Sequence, residues 1–552
     1  MSKKYKAKVG SQKEEVSAKK TKVAKTSFSV NNMNNKALWG VSILLTLVYF
    51  LASTFSDGFY MHDEPMFYMY AKDFLKDPIA AFRGFQRIGY VTFLVLPAIG
   101  GFTFLNIFNS ILASVTVMYS YKIIRKLKGE NSFLIFFLLG LQPLWFMLAF
   151  RNYSEFLLAF LLVMALWNHL NKRYTFAALL MSYAAVSRIE YHALLGLYFI
   201  VLIVKRQWLP ALLTGTFTVL ENLLGFVLTE DILYLPNQII GYSERMSGSW
   251  PKRGFEHYLV MSNIIFGGTT LTLFITYLSS KIIKKEKPIW IITGAVLFVI
   301  LFNCLINWQS VEIGPGNAGN LRYFIPIGPL VAILGVLAID DLLRMQKKIK
   351  LLFFLVPFLI FVGMFQTYEH NFIGLLADQE RFWLPLIVMI ITTVLVILPL
   401  KQIHYLIFVG LLSIVVATTS VRTFNLNPED KTMKKAGKWY TKYLKKNKGN
   451  PNALFTEDSR VACSHILFYH FTDKGRTDFV KKPIIDFTKE NTDSMQVGDL
   501  IVWESHYGYR PKLRPTSQTY DYYEKDSRFE KIQYYQSKDN RFLIAFFRKV
   551  KM

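Results

Sequence analysis

Apolar runs of about 17–22 residues recur along most of this chain, the length needed to cross a hydrocarbon core of roughly 30 Å. A soluble helical protein would carry charges every turn or two along its helices. The stretch 133–150 carries none. With 52% hydrophobic and 16% aromatic residues in 552, the chain reads as a polytopic α-helical membrane protein. Length and periodicity predict about thirteen spans. They fall at 37–55, 102–124, 131–150, 153–170, 174–188, 190–204, 207–229, 258–282, 288–307, 323–343, 351–367, 383–400 and 404–421.

The net charge of +26 would suggest nucleic acid in a soluble protein. Here much of the Lys and Arg falls in short clusters between spans, as the positive-inside rule requires. No nucleic-acid partner is therefore expected; the lipid bilayer is. Residues 1–36 hold ten Lys against two Glu and read as a disordered, basic cytoplasmic tail. From that start the inner connections are basic: Lys122 to Lys128, Lys172-Arg173, Lys205-Arg206, Lys281 to Lys287, Arg344 to Lys350, and Lys401. The apolar stretch 88–101 reads as an interfacial helix within the first outer loop, because a return to the basic side there would break this pattern. Cys304 and Cys463, the two cysteines of the chain, lie in a span and in the tail and are not expected to pair.

Two outer connections are long, 56–101 and 230–257. The first carries His62-Asp63-Glu64-Pro65. Asp63 ahead of Glu64 and Pro65 fits a helix cap with proline in the first turn. It also fits chemistry. A partly apolar membrane exit raises a carboxylate toward general-base strength, and a base is what a hydroxyl needs to attack a sugar carbon. His62 with Asp63 lacks a second spaced ligand pair, so neither a metal nor a cofactor is expected. The outer side also holds Arg83, Arg87, Arg151, Arg188, Arg245, Lys252, Arg253 and Arg322. Cations on the unfavoured side call for a local reason, such as a bound phosphate.

Other pieces carry two readings. Arg151 snorkels while Ser154 and Glu155 simply begin a helix, or Glu155 faces a cavity. Arg188 and Glu190 join two short apolar runs, as a mutual ion pair shaping a bend or as a site. Glu221-Asn222 in mid-span must face protein or water, with packing the favoured role. Gly314 to Gly319 lacks the Gly-Lys-Ser/Thr of a phosphate loop and leads to Arg322 and Tyr323, an anion contact or an interfacial anchor. From 422 the chain turns charged and Tyr-rich. A helix at 431–446 and strands at 453–456, 500–504, 529–535 and 542–548 predict a small α/β domain, placed outside by thirteen spans.

His62-Asp63-Glu64 after the first span, Arg188-x-Glu190 in the short middle spans and Arg322-Tyr323-x-x-Pro326 after a Gly-rich outer loop together resemble the GT-C superfamily of polyprenyl-phosphate-dependent glycosyltransferases. The His-Asp-Glu form is similar to that of its dolichyl-phosphate-mannose mannosyltransferases. The resemblance covers 37–421 as a transmembrane catalytic domain, with 422–552 as an extracytoplasmic domain. It implies inverting transfer of a hexose such as mannose from a polyprenyl-phosphate donor to a glycolipid, glycan or protein acceptor. Asp63 would deprotonate the acceptor hydroxyl, with Glu64 and His62 positioning it. Arg188, Arg322, Lys252, Arg253 and Arg87 would hold the donor phosphate, with Glu190, Glu155 and Tyr323 lining the cavity. Val502-Trp503-Glu504-Ser-His506 departs from the Trp-Trp-Asp motif of the oligosaccharyltransferase branch, so transfer of a single sugar is favoured. A bacterial plasma membrane suits the lysine-rich tail. The competing classes are a transporter or lipid flippase, which would show matched halves with mid-membrane charges, and a non-enzymatic envelope assembly protein, which leaves the acidic triplet without a purpose.

Overall fold

Glycine and proline decide where the apolar stretches stay one helix and where they break. The computed structural model describes residues 33–82, 87–246, 254–312, 319–344, 387–395, 398, 401–420, 425–472, 487–509 and 516–552. Among these, five helices are long and apolar enough to cross a membrane: Asn35–Thr54, Gly101–Lys126, Trp208–Thr229, Trp290–Asn307 and Leu321–Leu343. Shorter apolar helices lie at Ile88–Ile99, Ser154–Leu170, Tyr174–Ser187, Ile189–Val204 and Ile403–Ala417. Helix Ile88–Ile99 turns into Gly101–Lys126 at Gly101, whose φ is +86°.

Two expected spans are not continuous helices. The stretch 131–150 divides into Ile135–Leu138 and Pro143–Leu148, because Pro143 has no N–H to continue the ladder and starts a new helix instead. The carbonyls freed at the break find hydroxyls: Tyr49 donates to Gly140 O at 2.8 Å and Thr270 to Leu138 O at 2.9 Å. Buried non-helical backbone is tolerated in this way. The stretch 258–282 bends by 117° between His257–Phe266 and Gly268–Ile283. The hinge is Gly267, with φ of +79°. The span expected at 351–367 lies outside the described residues, and that at 383–400 is described as a helix over 387–395. The described residues thus give five long spans, or up to six with the bent pair, where thirteen were expected.

Leu321–Leu343 is the central helix. Its apolar window is 94% buried, against 17% for Trp208–Thr229 and 22% for Asn35–Thr54, which therefore face the lipid. It begins as a 3-10 turn, Leu321–Ile327, and packs along Gly268–Ile283. Opposite its start, the basic connections close the other ends of the helices. Lys128, Lys172, Arg206 and Lys285 each stand two residues past a helix end in the left-handed region, with φ between 54° and 64°. A left-handed residue there ends a helix, and a cation complements the negative helix terminus.

The C-terminal residues form the expected α/β unit. Asn427 and Asp430 make a capping box with Pro428 in the first turn, starting helix Pro428–Lys446. Met433, Ala436, Tyr440 and Leu444 are its buried seam. It lies on a four-stranded sheet of β1 (Val461–Cys463), β2 (Leu500–Glu504), β3 (Phe529–Gln536) and β4 (Leu543–Lys549), in the order β1-β2-β4-β3. β1 runs parallel to β2, and the other pairs are antiparallel. The strand expected at 453–456 does not form. Phe455 there stacks on Tyr443, centroids 4.3 Å apart, and the Leu454 N–H donates to the Tyr443 hydroxyl. β1 escaped the sequence reading because three residues give no alternation.

A Cβ at Gly267 would lie 2.9 Å from Pro143 Cδ, in a conformation that side chains rarely adopt. Gly267→Ala is expected to cost about 1–3 kcal/mol, read as a lower melting temperature in detergent. Gly294→Ala, where nothing lies within 4 Å, serves as control; equal melting of the two variants would remove the hinge from the account.

Candidate active site

The first helical turn after the first span sends its three polar side chains to three different places. Helix Asp63–Phe74 has His62 at its cap without a side-chain capping bond. Asp63 is therefore not the cap that the sequence suggests; it is the first helical residue. Its carboxylate pairs with the Arg322 guanidinium and stays one-third exposed, at 34%.

Glu64 points inward. It is 2% exposed and accepts from Arg151 Nη1 at 3.0 Å, Tyr153 Oη at 3.1 Å and the Tyr60 N–H at 2.7 Å. Arg151 is buried as well and also donates to Gly58 O and Ser56 Oγ, so it holds the loop rather than snorkelling. Asn152 donates to the Glu64 carbonyl and accepts from the Tyr90 hydroxyl. Glu64 thus fixes the helix start and is turned away from any reactant on the exposed side of Asp63.

Behind Asp63, chain segments far apart in sequence converge. Ser154 and Glu155 begin helix Ser154–Leu170. Arg188 occupies the extended break after Tyr174–Ser187, with φ of −152°. Arg322 opens the central 3-10 turn, its N–H held by the Asn320 side chain. Glu155, with no exposure, lies between them: it pairs with Arg188 and lies 3.1 Å from Arg322 Nε. Arg188 also pairs with Glu190, with Nε at 2.8 Å, and its guanidinium covers the Tyr323 ring at 4.6 Å. The ion pair read from spacing at the bend is therefore present, with Glu155 added to it. Arg322 rests on Tyr153 at 4.7 Å. Arg87 reaches Ser154 Oγ at 2.9 Å from a left-handed backbone, φ 54°. A Cβ at Gly89 would lie 2.8 Å from Ser187 N, so this glycine is what lets the Arg87 segment approach the Arg188 break.

Three guanidiniums, of Arg87, Arg188 and Arg322, thus face the carboxylates of Asp63, Glu155 and Glu190. Arg188 and Arg322 are 1% and 4% exposed. Burying such charges is costly unless each is paired, and intramembrane ionisable groups usually have a task. Arg322 Nη1 is buried without a hydrogen-bond partner among the described residues. It retains donor capacity for an anion. Burial alone would raise the Asp63 carboxyl, as the sequence suggests. Arg322, by charge and hydrogen bond, and Arg87 outweigh both burial and the repulsion of Glu155, so Asp63 is held below the usual carboxylate range.

His62 faces away, toward the C-terminal domain. Its Nε2 lies 2.9 Å from Asp430 Oδ1 and its Nδ1 3.0 Å from Tyr507 Oη. Glu429, His465 and His506 complete this junction; Glu429 Oε1 is 2.8 Å from His465 Nε2 and 2.7 Å from His506 Nδ1. None of these five was found from the sequence, since no local motif links residues hundreds of positions apart. Glu504 is fully buried and holds the turn that carries His506, accepting from Ser464 and from the His506 and Tyr507 N–H groups. Asn222 packs, as expected, bonding Ile232 O and the Leu235 N–H. Cys304 and Cys463 are free and buried. Lys252 and Arg253 lie outside the described residues.

Because Glu64 and Arg151 are both buried, removing one partner strands the other's charge. Glu64→Ala is expected to lose about 3–5 kcal/mol, seen as a large drop in melting temperature in detergent. Asp63→Asn, at a half-open pair, is expected to lose far less. Equal losses would mean that the neighbouring carboxylates do not divide their work this way.

No family model and no curated protein matches the sequence. Two solved structures match nearly its whole length. ArnT from Cupriavidus metallidurans bound to undecaprenyl phosphate is 12% identical with a TM-score of 0.54, covering 93% of this chain and 98% of that one. The apo form of ArnT is 12% identical with a TM-score of 0.55, covering 92% and 98%. At that identity the likeness is one of fold. The chain therefore has the fold of ArnT.

Proposed function

We propose that the chain is an inverting glycosyltransferase. It moves a single sugar, a hexose such as mannose, from a polyprenyl-phosphate donor to a glycolipid, glycan or protein acceptor on the extracytoplasmic face of a bacterial plasma membrane. The observation that carries this reading is the Asp63–Arg322 pair: a one-third-exposed carboxylate bound to a buried arginine whose Nη1 has no hydrogen-bond partner among the described residues. The undecaprenyl phosphate bound by ArnT, a protein of the same fold, supports the choice of donor lipid.

The chemistry follows from the charges. The donor phosphodiester carries one negative charge and its lipid phosphate leaves with more. Guanidinium forks suit phosphate oxygens, and cations aimed at developing charge lower the barrier. The donor phosphate competes with Asp63 for Arg322. Once Arg322 is taken, the carboxylate loses the partner that weakens it as a base. The acceptor oxygen then attacks the anomeric carbon and its proton passes to Asp63. The bond from that carbon to the phosphate oxygen breaks, and the electron pair leaves with the lipid phosphate. Attack opposite the leaving group inverts the anomeric centre. Arg188 and Arg87 add charge at the phosphate, with Lys252 and Arg253 as further contacts. Glu155, Glu190 and Tyr323 hold the arginines in place, and Glu64 and His62 hold the helix start.

Incubating the purified chain with radiolabelled polyprenyl-phosphate hexoses and membrane extract tests this. Asp63→Asn is expected to lower turnover at least ~100-fold while still binding donor. Arg322→Gln is expected to weaken donor binding as well. Equal transfer by wild type and Asp63→Asn would remove the base; no transfer from any hexose donor would overturn the activity.

A further inference from the structure

The junction between the acidic loop and the C-terminal domain gathers nitrogen and oxygen ligands more densely than hydrogen bonding between two domains requires. One ligand atom each from His62, Glu429 and His465 falls within a single sphere, all within 4.8 Å of one another. The residues come from three elements. His62 caps the first helix of the acidic loop. Glu429 sits in the first turn of helix Pro428–Lys446. His465 follows β1, and His506 follows β2. Because these strands are parallel neighbours, their C-terminal ends lie side by side and present both histidines to one spot.

We propose that His62, Glu429 and His465 bind a divalent transition-metal ion of the zinc class, which clips the C-terminal domain to the loop that carries Asp63. Two imidazoles and one carboxylate are a donor set that such ions favour. His506 bonds Glu429 Oε1 from the other side, at 2.7 Å, which orients the carboxylate as outer hydrogen bonds do for ligands. Both His62 ring nitrogens are hydrogen-bonded here, Nε2 to Asp430 at 2.9 Å and Nδ1 to Tyr507 at 3.0 Å, so the ion would take the place of one partner while the other orients the ring. His465 is fully buried, whereas His62 and Glu429 are 17% and 20% exposed, so solvent reaches two of the three ligands. The inference does not depend on the transferase reading: a metal clip would exist whatever the reaction. Its consequence for the site is positional, since His62 immediately precedes Asp63.

The test uses the full chain, purified in detergent from cells grown with added zinc and then dialysed. Elemental analysis is expected to find about one zinc per chain, and cobalt substitution to give the visible absorption of a low-coordinate site. His465→Ala and Glu429→Gln should each lose stoichiometric metal. His506→Gln should weaken affinity about 10–100-fold. A chelator should lower the melting temperature of wild type and leave that of His465→Ala unmoved, which separates metal loss from misfolding. Metal-free wild type with no cobalt spectrum would overturn the proposal and leave a purely hydrogen-bonded junction. Full metal retention in folded His465→Ala would overturn it equally. Neither outcome touches sugar transfer, which is read separately.

Discussion

A carboxylate with no exposure holds the centre of this molecule together. Glu155 sits between Arg188 and Arg322, and each of the three belongs to a different part of the chain. None could stay charged alone at that depth, because the cost of leaving water exceeds what any one contact returns. Together they lock the start of Ser154–Leu170, the break at 188 and the start of the central helix into one arrangement. Asp63 and Glu190 extend the network outward, and Asp63 is where it meets solvent.

Interruptions in helices supply what the network needs. Arg188 reaches it because the chain runs extended between two short helices. Arg322 reaches it from a 3-10 turn, and Arg87 from a left-handed residue. Unbroken spans would send these side chains along a helix face toward lipid. Broken ones leave polar backbone to be satisfied, and at the break before Pro143 the hydroxyls of Tyr49 and Thr270 satisfy it. The same design appears at the junction below His62, where two parallel strands end together and a capped helix begins. Functional groups in both places sit at the ends of elements, held by a rigid frame.

Much of this was legible from residue order. Uninterrupted apolar length announces a membrane protein because few other environments suit it. Lys128, Lys172, Arg206 and Lys285 marked helix ends on one side, so the arginines on the other side stood out. Arg188, Glu190 and Arg322 were noticed on that ground, and the structure brings them together. Pro143 and Gly267 were visible too, but not that their spans would break there; that depends on whether Tyr49 and Thr270 stand ready to take the freed carbonyls. Arg151 was misjudged because a snorkelling arginine and a buried one look alike without its partner Glu64.

The sequence by itself determined the class of protein, the polarity of its helix ends and the triplet His62-Asp63-Glu64. It could not divide that triplet. Successive residues on a helix point about 100° apart, so the three side chains leave in different directions, and only the packed neighbours say where each arrives. Tertiary structure sent Glu64 to Arg151, Asp63 to Arg322 and His62 to Asp430, a residue 368 positions away. The physical reason is one of range. Apolar length and charge bias act locally and leave a mark in neighbouring residues, whereas a buried charge is placed by whichever partner the whole fold brings within reach.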